Sequence, residues 1–530
     1  MNSFHTSLRA LTPETLTSML RGIEKEGLRA TRNGGLALTP HPAGLGSALT
    51  HPHITTDFSE SQLELITGVH TTAQACEDEL TQIHQAVFRH LGDELMWGSS
   101  MPCRLPARDE DIPLGRYGTS NVGRSKTVYR NGLSHRYGRR MQTISGIHYN
   151  FSLPQSAWSA LQTAQQRQGS TEAYRNAAYF SLIRNFRRHS WLLLYLFGAS
   201  PAVCRSFVAG RQHALAEFSP DTLYLPYATS LRMGPLGYQS EAQSALAVSY
   251  NSLLGYARSL NRALTEPYAP YEAIGVREGD EYKQLASTLL QIENEFYGTI
   301  RPKRRIRPGE RPLHALGERG VEYVEVRCMD IDPFEPVGIS AATMRFLDVF
   351  LLHCLLTASP PDSPEEIAGL VVNQHRAADR GRDPAIRLVR LGEECSVREW
   401  GDQLLAECAP IADALDAAHG GGAHRDALAS AARTLATAAL APSARVTAAM
   451  ADAHGRSYLQ FALHQSIVHN QALRDRADDP ASAARFEAMA RESLAEQTAI
   501  EAADSIPFET YRLQYLAQDL MGGEQFRLQT

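Results

Sequence analysis

Two stretches of this chain alternate strictly between apolar and polar residues. In Ile147–Leu153, the residues Ile147, Tyr149, Phe151 and Leu153 alternate with His148, Asn150 and Ser152. In Val321–Met329, the residues Val324, Val326 and Cys328 alternate with Tyr323, Glu325 and Arg327. A period of two sends successive side chains to opposite faces of a strand, so each stretch has one apolar and one polar face. An antiparallel sheet with helices on one face and a cavity on the other accounts for both. Gly22–Thr31 reads as a further strand, after a helix that begins at Pro13 behind the N-cap candidate Thr12. Leu290–Tyr297 reads as another, with Glu293, Glu295 and Tyr297 on one side. Thr55 or Thr56 is expected to open a helix whose first turn carries Asp57 and Glu60.

The longest apolar stretches, Trp191–Ala199 and Phe346–Ala358, are too short to span a bilayer and read as buried helix segments. Residues 97–125 are rich in Gly, Pro, Ser and Asn and predict a long, functional loop. Ser359-Pro360-Pro361-Asp362-Ser363-Pro364 is a breaker, and Gly420-Gly421-Gly422 a second loop. Residues 425–505, dense in Ala, Arg, Glu and Leu, predict helices. The expected organisation is a core over 1–358 and a mainly helical C-terminal region over 359–530 packed on it.

Composition narrows the class. A chain of 530 residues with 43% hydrophobic and 21% charged residues predicts a packed soluble protein. A net charge of −6 argues against a nucleic-acid coat. Seven scattered cysteines without a C-x-x-C pair predict reduced thiols and no structural zinc. The first residues, MNSFHTSLRALTPETL, show no apolar signal-peptide core, so a cytoplasmic location is expected.

The candidate chemistry lies in five acids and an arginine. Glu24 and Glu26 are i, i+2, which on a strand puts them on one face about 7 Å apart. Asp57 and Glu64 are i, i+7, which on a helix shares a face. Glu325 and Arg327 share the polar face of their strand. Each pair alone has an ordinary explanation: a solvated edge strand, a capping box at Asp57-x-x-Glu60, a surface ion pair. His148, Asn150, Arg232, Tyr129, Tyr238 and Tyr297 likewise suit ordinary structural positions, and Arg301–Arg305 reads as a solvated loop. Converging carboxylates, however, repel unless a cation or proton lies between them. Mg²⁺ takes oxygen ligands and shares them with phosphates, and an arginine clamps phosphate. There is no G-x-x-x-x-G-K-[ST], Rossmann fingerprint, G-x-S-x-G or H-E-x-x-H, so phosphate handling here would use metals and arginines.

Longer stretches carry a resemblance. LGSALTHPHITTDFSESQLELIT, DELMWGSSMPC, YGTSNVGRSKTVYRNGL, RYGRRMQTISGIHYNFSLP, YLFGASPAVC, YLPYATSLRMGPLGY, LQIENEFYGTIRPKR and GVEYVEVRCMDIDPF resemble the glutamate–cysteine ligase family of the proteobacterial type. The resemblance covers about residues 20–350 and extends more weakly to EAADSIPF near residue 501. It implies ATP-dependent joining of the L-glutamate γ-carboxylate to the L-cysteine amine, the first step of glutathione synthesis. It implies an α+β fold in which a curved antiparallel sheet forms a funnel with helices outside, related to glutamine synthetase and the guanidino kinases.

The resemblance also implies two or three Mg²⁺ ions held by Glu24, Glu26, Asp57, Glu64 and Glu325. It places Arg327 at the ATP γ-phosphate, and Tyr129, Arg232, Tyr238 and Tyr297 around the amino acids. Gln142, His148 and Asn150 line that pocket. Feedback by glutathione and a monomer are expected, with no nucleic-acid or membrane partner. Gly27 and Gly98-Ser99 depart from the family pattern without removing any of these groups. Three alternatives stay open: a ligase with another amine acceptor, a non-catalytic nucleotide- or glutathione-binding regulator, and a guanidino-type kinase.

Overall fold

A computed structural model describes residues 3–237, 241–244, 246–477 and 479–527. The alternating segments become one antiparallel sheet. Its strands are β1 (Leu20–Ala30), β2 (Ile54–Thr56), β3 (Gln62–Ile66), β4 (Leu95–Met96), β5 (Ile147–Ser152), β6 (Ile300–Lys303) and β7 (Tyr323–Met329). The order is β6-β7-β5-β1-β3-β2, with β4 paired to the far end of β1. One face carries Ile23, Leu63, Leu65, Ile147, Tyr149, Phe151, Ile300, Val324 and Val326, all buried in a single core. Helices α1 (Ala73–Phe88), α2 (Asn121–Tyr137), α3 (Thr171–His189), α4 (Ala341–Leu356), α5 (Pro480–Ala503) and α6 (Phe508–Leu516) matter most for the site. Of these, α1, α3 and α4 pack together and against the apolar face. Behind the sheet, Arg21 of β1 pairs with Asp348 of α4 at 3.1 Å. The Tyr149 hydroxyl of β5 donates to Asp348 at 2.6 Å.

Lys25 departs from the alternation. It points into the apolar layer, 2.7 Å from His84 of α1, and burial lowers its ammonium to about 7. No helix among the described residues is long and apolar enough to cross a membrane.

Several expectations hold. Pro13 opens a short helix, Pro13–Thr17, capped by the Thr12 side chain. Trp191–Phe197 and α4 are buried helices. The region after 359 is mostly helical, with one added hairpin, Arg387–Arg390 with Glu393–Ser396.

Four expectations are corrected. No helix starts at Thr55 or Thr56: β2 and β3 form a hairpin around a turn at 57–61, because Glu60 accepts the amides of His41 and Arg116 instead of capping. Leu290–Tyr297 is not a strand but a 3₁₀ turn, Glu293–Glu295, whose acids are drawn to distant arginines: Glu293 to Arg311 at 2.9 Å and Glu295 to Arg136 at 2.8 Å. Arg301–Arg305 is not a solvated loop, since Arg301 and Lys303 belong to β6 and Arg301 is 7% exposed. The loop expected over 97–125 ends at Ser120, whose side chain caps α2.

Candidate active site

Residues directly opposed across an antiparallel pair project from the same face. Glu24 opposes His148, Glu26 opposes Glu64, Asn150 opposes Glu325, and Glu325 opposes Arg301. Thr55 opposes Glu64 at the other end. The face opposite the core therefore carries a continuous polar row across six strands. The register between β7 and β5 shifts after Val326. Arg327 leaves that pairing and bonds its amide to the Thr299 carbonyl at 2.8 Å.

Ligand atoms of Glu24, His148 and Glu325 all lie within 4.8 Å of one another. Asn150 donates to Glu24 at 2.8 Å, and His148 Nδ1 lies 3.3 Å from the same carboxylate. His148 Nε2 faces Glu26 at 3.5 Å. Glu26 also accepts the Gly146 amide at 2.8 Å. Lys303 Nζ and Arg327 both meet Glu325 at 3.2 Å, on different oxygens.

These surroundings split the acids into two groups. Burial works against the Glu325 charge, but Lys303 and Arg327 outweigh it and hold the carboxyl well below its ordinary range. Glu24 is also lowered: burial and the Glu325 charge push it up, and His148 with Lys303 more than offsets them. Burial together with the Asp57 charge pushes Glu26 up to about 8, against Arg232 and Arg327. Burial, then Glu24, Asp57 and Glu26, raises Glu64 well above the carboxylate range. Burial, with Arg327 beside it, lowers His148, so its ring is neutral near pH 7. A neutral imidazole has one N–H, so His148 can donate from only one side of a ring flanked by Glu24, Glu26 and Glu325. The carboxyls are buried and crowd closely enough that two of them, Glu26 and Glu64, favour the protonated form.

Asp57 sits in the β2–β3 turn, where its charge acts on Glu26 and Glu64. Its backbone is held from α2 and the segment before it: its carbonyl accepts from Arg130 and, at 3.0 Å, from the Tyr117 hydroxyl. Arg130 lies 4.4 Å over the Tyr117 ring, and Lys126 lies 5.2 Å from it.

Beside the row lies a second group of polar side chains. Gln142 donates to the Tyr297 hydroxyl at 2.8 Å. Tyr129 on α2 is raised well above the phenol range by burial, then by Glu295 and Tyr297. Arg232 is 2% exposed and bonds the Arg327 carbonyl at 2.7 Å. The structure thus brings together Glu24, Glu26, Asp57, Glu64, Glu325, Arg327, His148, Asn150 and Arg232, with Tyr129, Gln142 and Tyr297 as neighbours. Tyr238 lies outside the described residues.

Sequence reasoning missed Lys303, Arg301, Arg130, Lys126 and Tyr117. For Lys303 a signal existed: Ile300-Arg301-Pro302-Lys303 alternates with period two. Arg130 and Tyr117 gave none, since their roles arise from contacts with a turn more than 50 residues earlier.

A sheet face lined with acids, flanked by fixed cations and bordered by tyrosines is an arrangement suited to an enzyme that handles charged substrates. The comparisons name the family. The glutamate-cysteine ligase family model matches residues 7–377. A glutamate–cysteine ligase of Alcanivorax borkumensis is 47% identical over 516 residues, 96% of this chain and 98% of that protein. The crystal structure of a glutamate–cysteine ligase from Francisella tularensis in complex with AMP is 37% identical, with a TM-score of 0.88, over 94% of this chain and 97% of that one. A bifunctional glutathione synthetase from Pasteurella multocida is 25% identical with a TM-score of 0.73, over 92% of this chain and 58% of that one. The chain belongs to the glutamate–cysteine ligase family. Its activity is ATP-dependent formation of γ-glutamylcysteine in glutathione biosynthesis.

Proposed function

We propose that the acidic face is where this ligation takes place. Glu24, Glu26, Asp57, Glu64 and Glu325 hold two or three Mg²⁺ ions, and Arg327 meets the γ-phosphate of ATP. The donor set suits a hard cation: it is dominated by carboxylate oxygens, and burial together with the neighbouring acids pushes Glu26 and Glu64 towards protonation, which a cation among them would oppose. His148, a nitrogen donor, remains a hydrogen-bonding neighbour of the ligands. When bound, the ions neutralise phosphate charge and orient the transferring group.

The chain's own residues then have distinct tasks. A carboxylate is a poor acyl donor because its leaving group would be oxide. The glutamate γ-carboxylate therefore attacks the γ-phosphorus, forming γ-glutamyl phosphate and ADP. The cysteine amine attacks the acyl carbon, and phosphate leaves. Arg327 stabilises the charge building on the transferring phosphoryl group. Lys303 supplies a further fixed cation beside Glu325. Arg232 fits a substrate carboxylate, and Tyr129, Gln142 and Tyr297 border the amino-acid site and keep water from the acyl phosphate.

This reading takes residues 1–358 as the catalytic core and 359–530 as a helical region packed on it. The sheet is taken as the funnel of a glutamine synthetase- and guanidino kinase-like fold. The enzyme works as a cytoplasmic monomer, open to feedback by glutathione, whose tripeptide contains both substrates' shapes.

The observation that carries the assignment is the meeting of four acids and Arg327 on one sheet face with Asp57 from the adjoining turn. Coupled ADP release with Mg²⁺ and L-glutamate, with and without L-cysteine, tests it, with thiol product identified by mass. Cysteine-dependent ADP release with γ-glutamylcysteine formed is the expected result. Release driven by another amine replaces the acceptor. Release without amide product makes the protein a kinase. No turnover with any divalent metal makes it a regulator.

A further inference from the structure

The C-terminal helices touch the site's supports at two places, the first at the start of α2. EAADSIPF is Glu501–Phe508, at the junction of α5 and α6, well outside the span matched by the family model. Glu501 accepts the Thr119 amide at 2.8 Å, and Gln497 donates to Glu501 at 3.0 Å. Asp504 accepts the Asn121 amide, in the first turn of α2. The Asn121 side chain in turn donates to the Ile506 carbonyl at 2.9 Å. Phe508 lies under Arg124, 4.5 Å from its guanidinium.

One turn further back, α5 grips a second loop. Ser493 accepts the Ser47 amide at 3.0 Å, and the Ser47 hydroxyl donates to Gln497 at 2.5 Å. Thr50 donates to the Ser493 carbonyl at 2.6 Å. The fit is close: Gly46 has φ +77°, and a Cβ there would lie 2.8 Å from the Ala490 Cα.

Both grips lead to Asp57. Residues 118–121 connect Tyr117 to α2, and α2 carries Lys126, Tyr129 and Arg130. Tyr117 and Arg130 hold the Asp57 carbonyl. The 46–50 loop leads into β2 through Thr55, whose hydroxyl donates to the Ala48 carbonyl at 2.6 Å. Asp57 is the one acid of the five on a turn rather than a strand, so its position depends most on outside support.

We propose that Gln497, Glu501 and Asp504 form a clamp that positions the Asp57 turn and α2, making the C-terminal region a working part of the site. The clamp acts through Thr119 and Asn121 and touches no substrate; its three members are positioning residues. The catalytic part of this inference rests on the ligase reading above, and the geometric part does not.

The test compares the wild-type protein with Glu501→Ala/Asp504→Ala, with the conservative pair Glu501→Gln/Asp504→Asn, and with Gln518→Ala. Gln518 ties the same C-terminal region to Arg311 and Gly309, away from α2. Hydrogen exchange over residues 115–131, direct Mn²⁺ titration and steady-state kinetics are read on each. In the alanine pair, exchange over 115–131 accelerates, Mn²⁺ half-saturation rises severalfold and kcat falls at least about tenfold, as expected when a site group is displaced. The conservative pair, which keeps both acceptors, stays near wild type, and Gln518→Ala changes none of the three. Faster exchange with unchanged Mn²⁺ binding and kcat reduces the contacts to fold support and overturns the clamp. So does unchanged exchange, or an equal effect of Gln518→Ala. If the wild type shows no cysteine-dependent turnover, the reaction assignment fails instead, and the Mn²⁺ and exchange results still decide the clamp.

Discussion

Glu26, like Glu64, is a carboxyl that favours its protonated form near neutrality, held at about 8 by burial and the Asp57 charge. Its folded value lies above the ordinary 4.5, so the fold binds a proton that the unfolded chain releases between about pH 4.5 and 8. Without metal, this group's contribution to stability is complete below the lower value and is lost as pH rises through about 8. A cation that takes Glu26 as a ligand must expel that proton. Mg²⁺ binding at pH 7 should therefore release protons, seen by calorimetry in two buffers of different ionisation enthalpy. Equal heats in both buffers would take Glu26 out of the ligand set. Arg327→Ala should raise the phosphoryl-transfer barrier by about 3 kcal/mol, about a hundredfold in kcat. An unchanged kcat would remove Arg327 from that role. Glu325→Gln should weaken the dependence on Mg²⁺, and a metal titration identical to wild type would exclude it as a ligand.

Elements hold these residues in register through what lies behind the sheet. Asp348 of α4 joins Arg21 of β1 and Tyr149 of β5 in the buried layer. Removing the carboxylate leaves the 2%-exposed Arg21 charge unpaired. Asp348→Ala should cost about 3–5 kcal/mol in urea denaturation. A loss below about 1 kcal/mol would show that water reaches Arg21. The strands β1, β5 and β7 were legible because one side of each must be apolar to meet the helices, which imprints period two. The 54–66 hairpin was not legible. Its Asp57-x-x-Glu60 spacing imitates a helix cap, and the partners that make it a turn, Arg116, Tyr117 and Arg130, are remote in sequence. The acids of 293–295 misled in the same way, being drawn out of a strand pattern by Arg136 and Arg311.

At the scale of the whole molecule, the proposed cations on the acidic face would tie the stability of the fold to metal. A ligand bound only by the folded state at a hundred times its Kd adds about 2.7 kcal/mol. Mg²⁺ should therefore raise the thermal midpoint relative to EDTA, and by less in Glu325→Gln. An equal midpoint in Mg²⁺ and EDTA would count against a metal centre. The sequence by itself determined the antiparallel strands, the helical C-terminal stretch, the family and the identity of the acids, since these depend on side-chain period and residue type. Only the tertiary structure decided that β3, not a helix, presents Glu64, that Lys303 joins Glu325, and that Asp57 is held from α2. Those facts depend on cross-strand register and on contacts between distant segments, which local pattern does not encode.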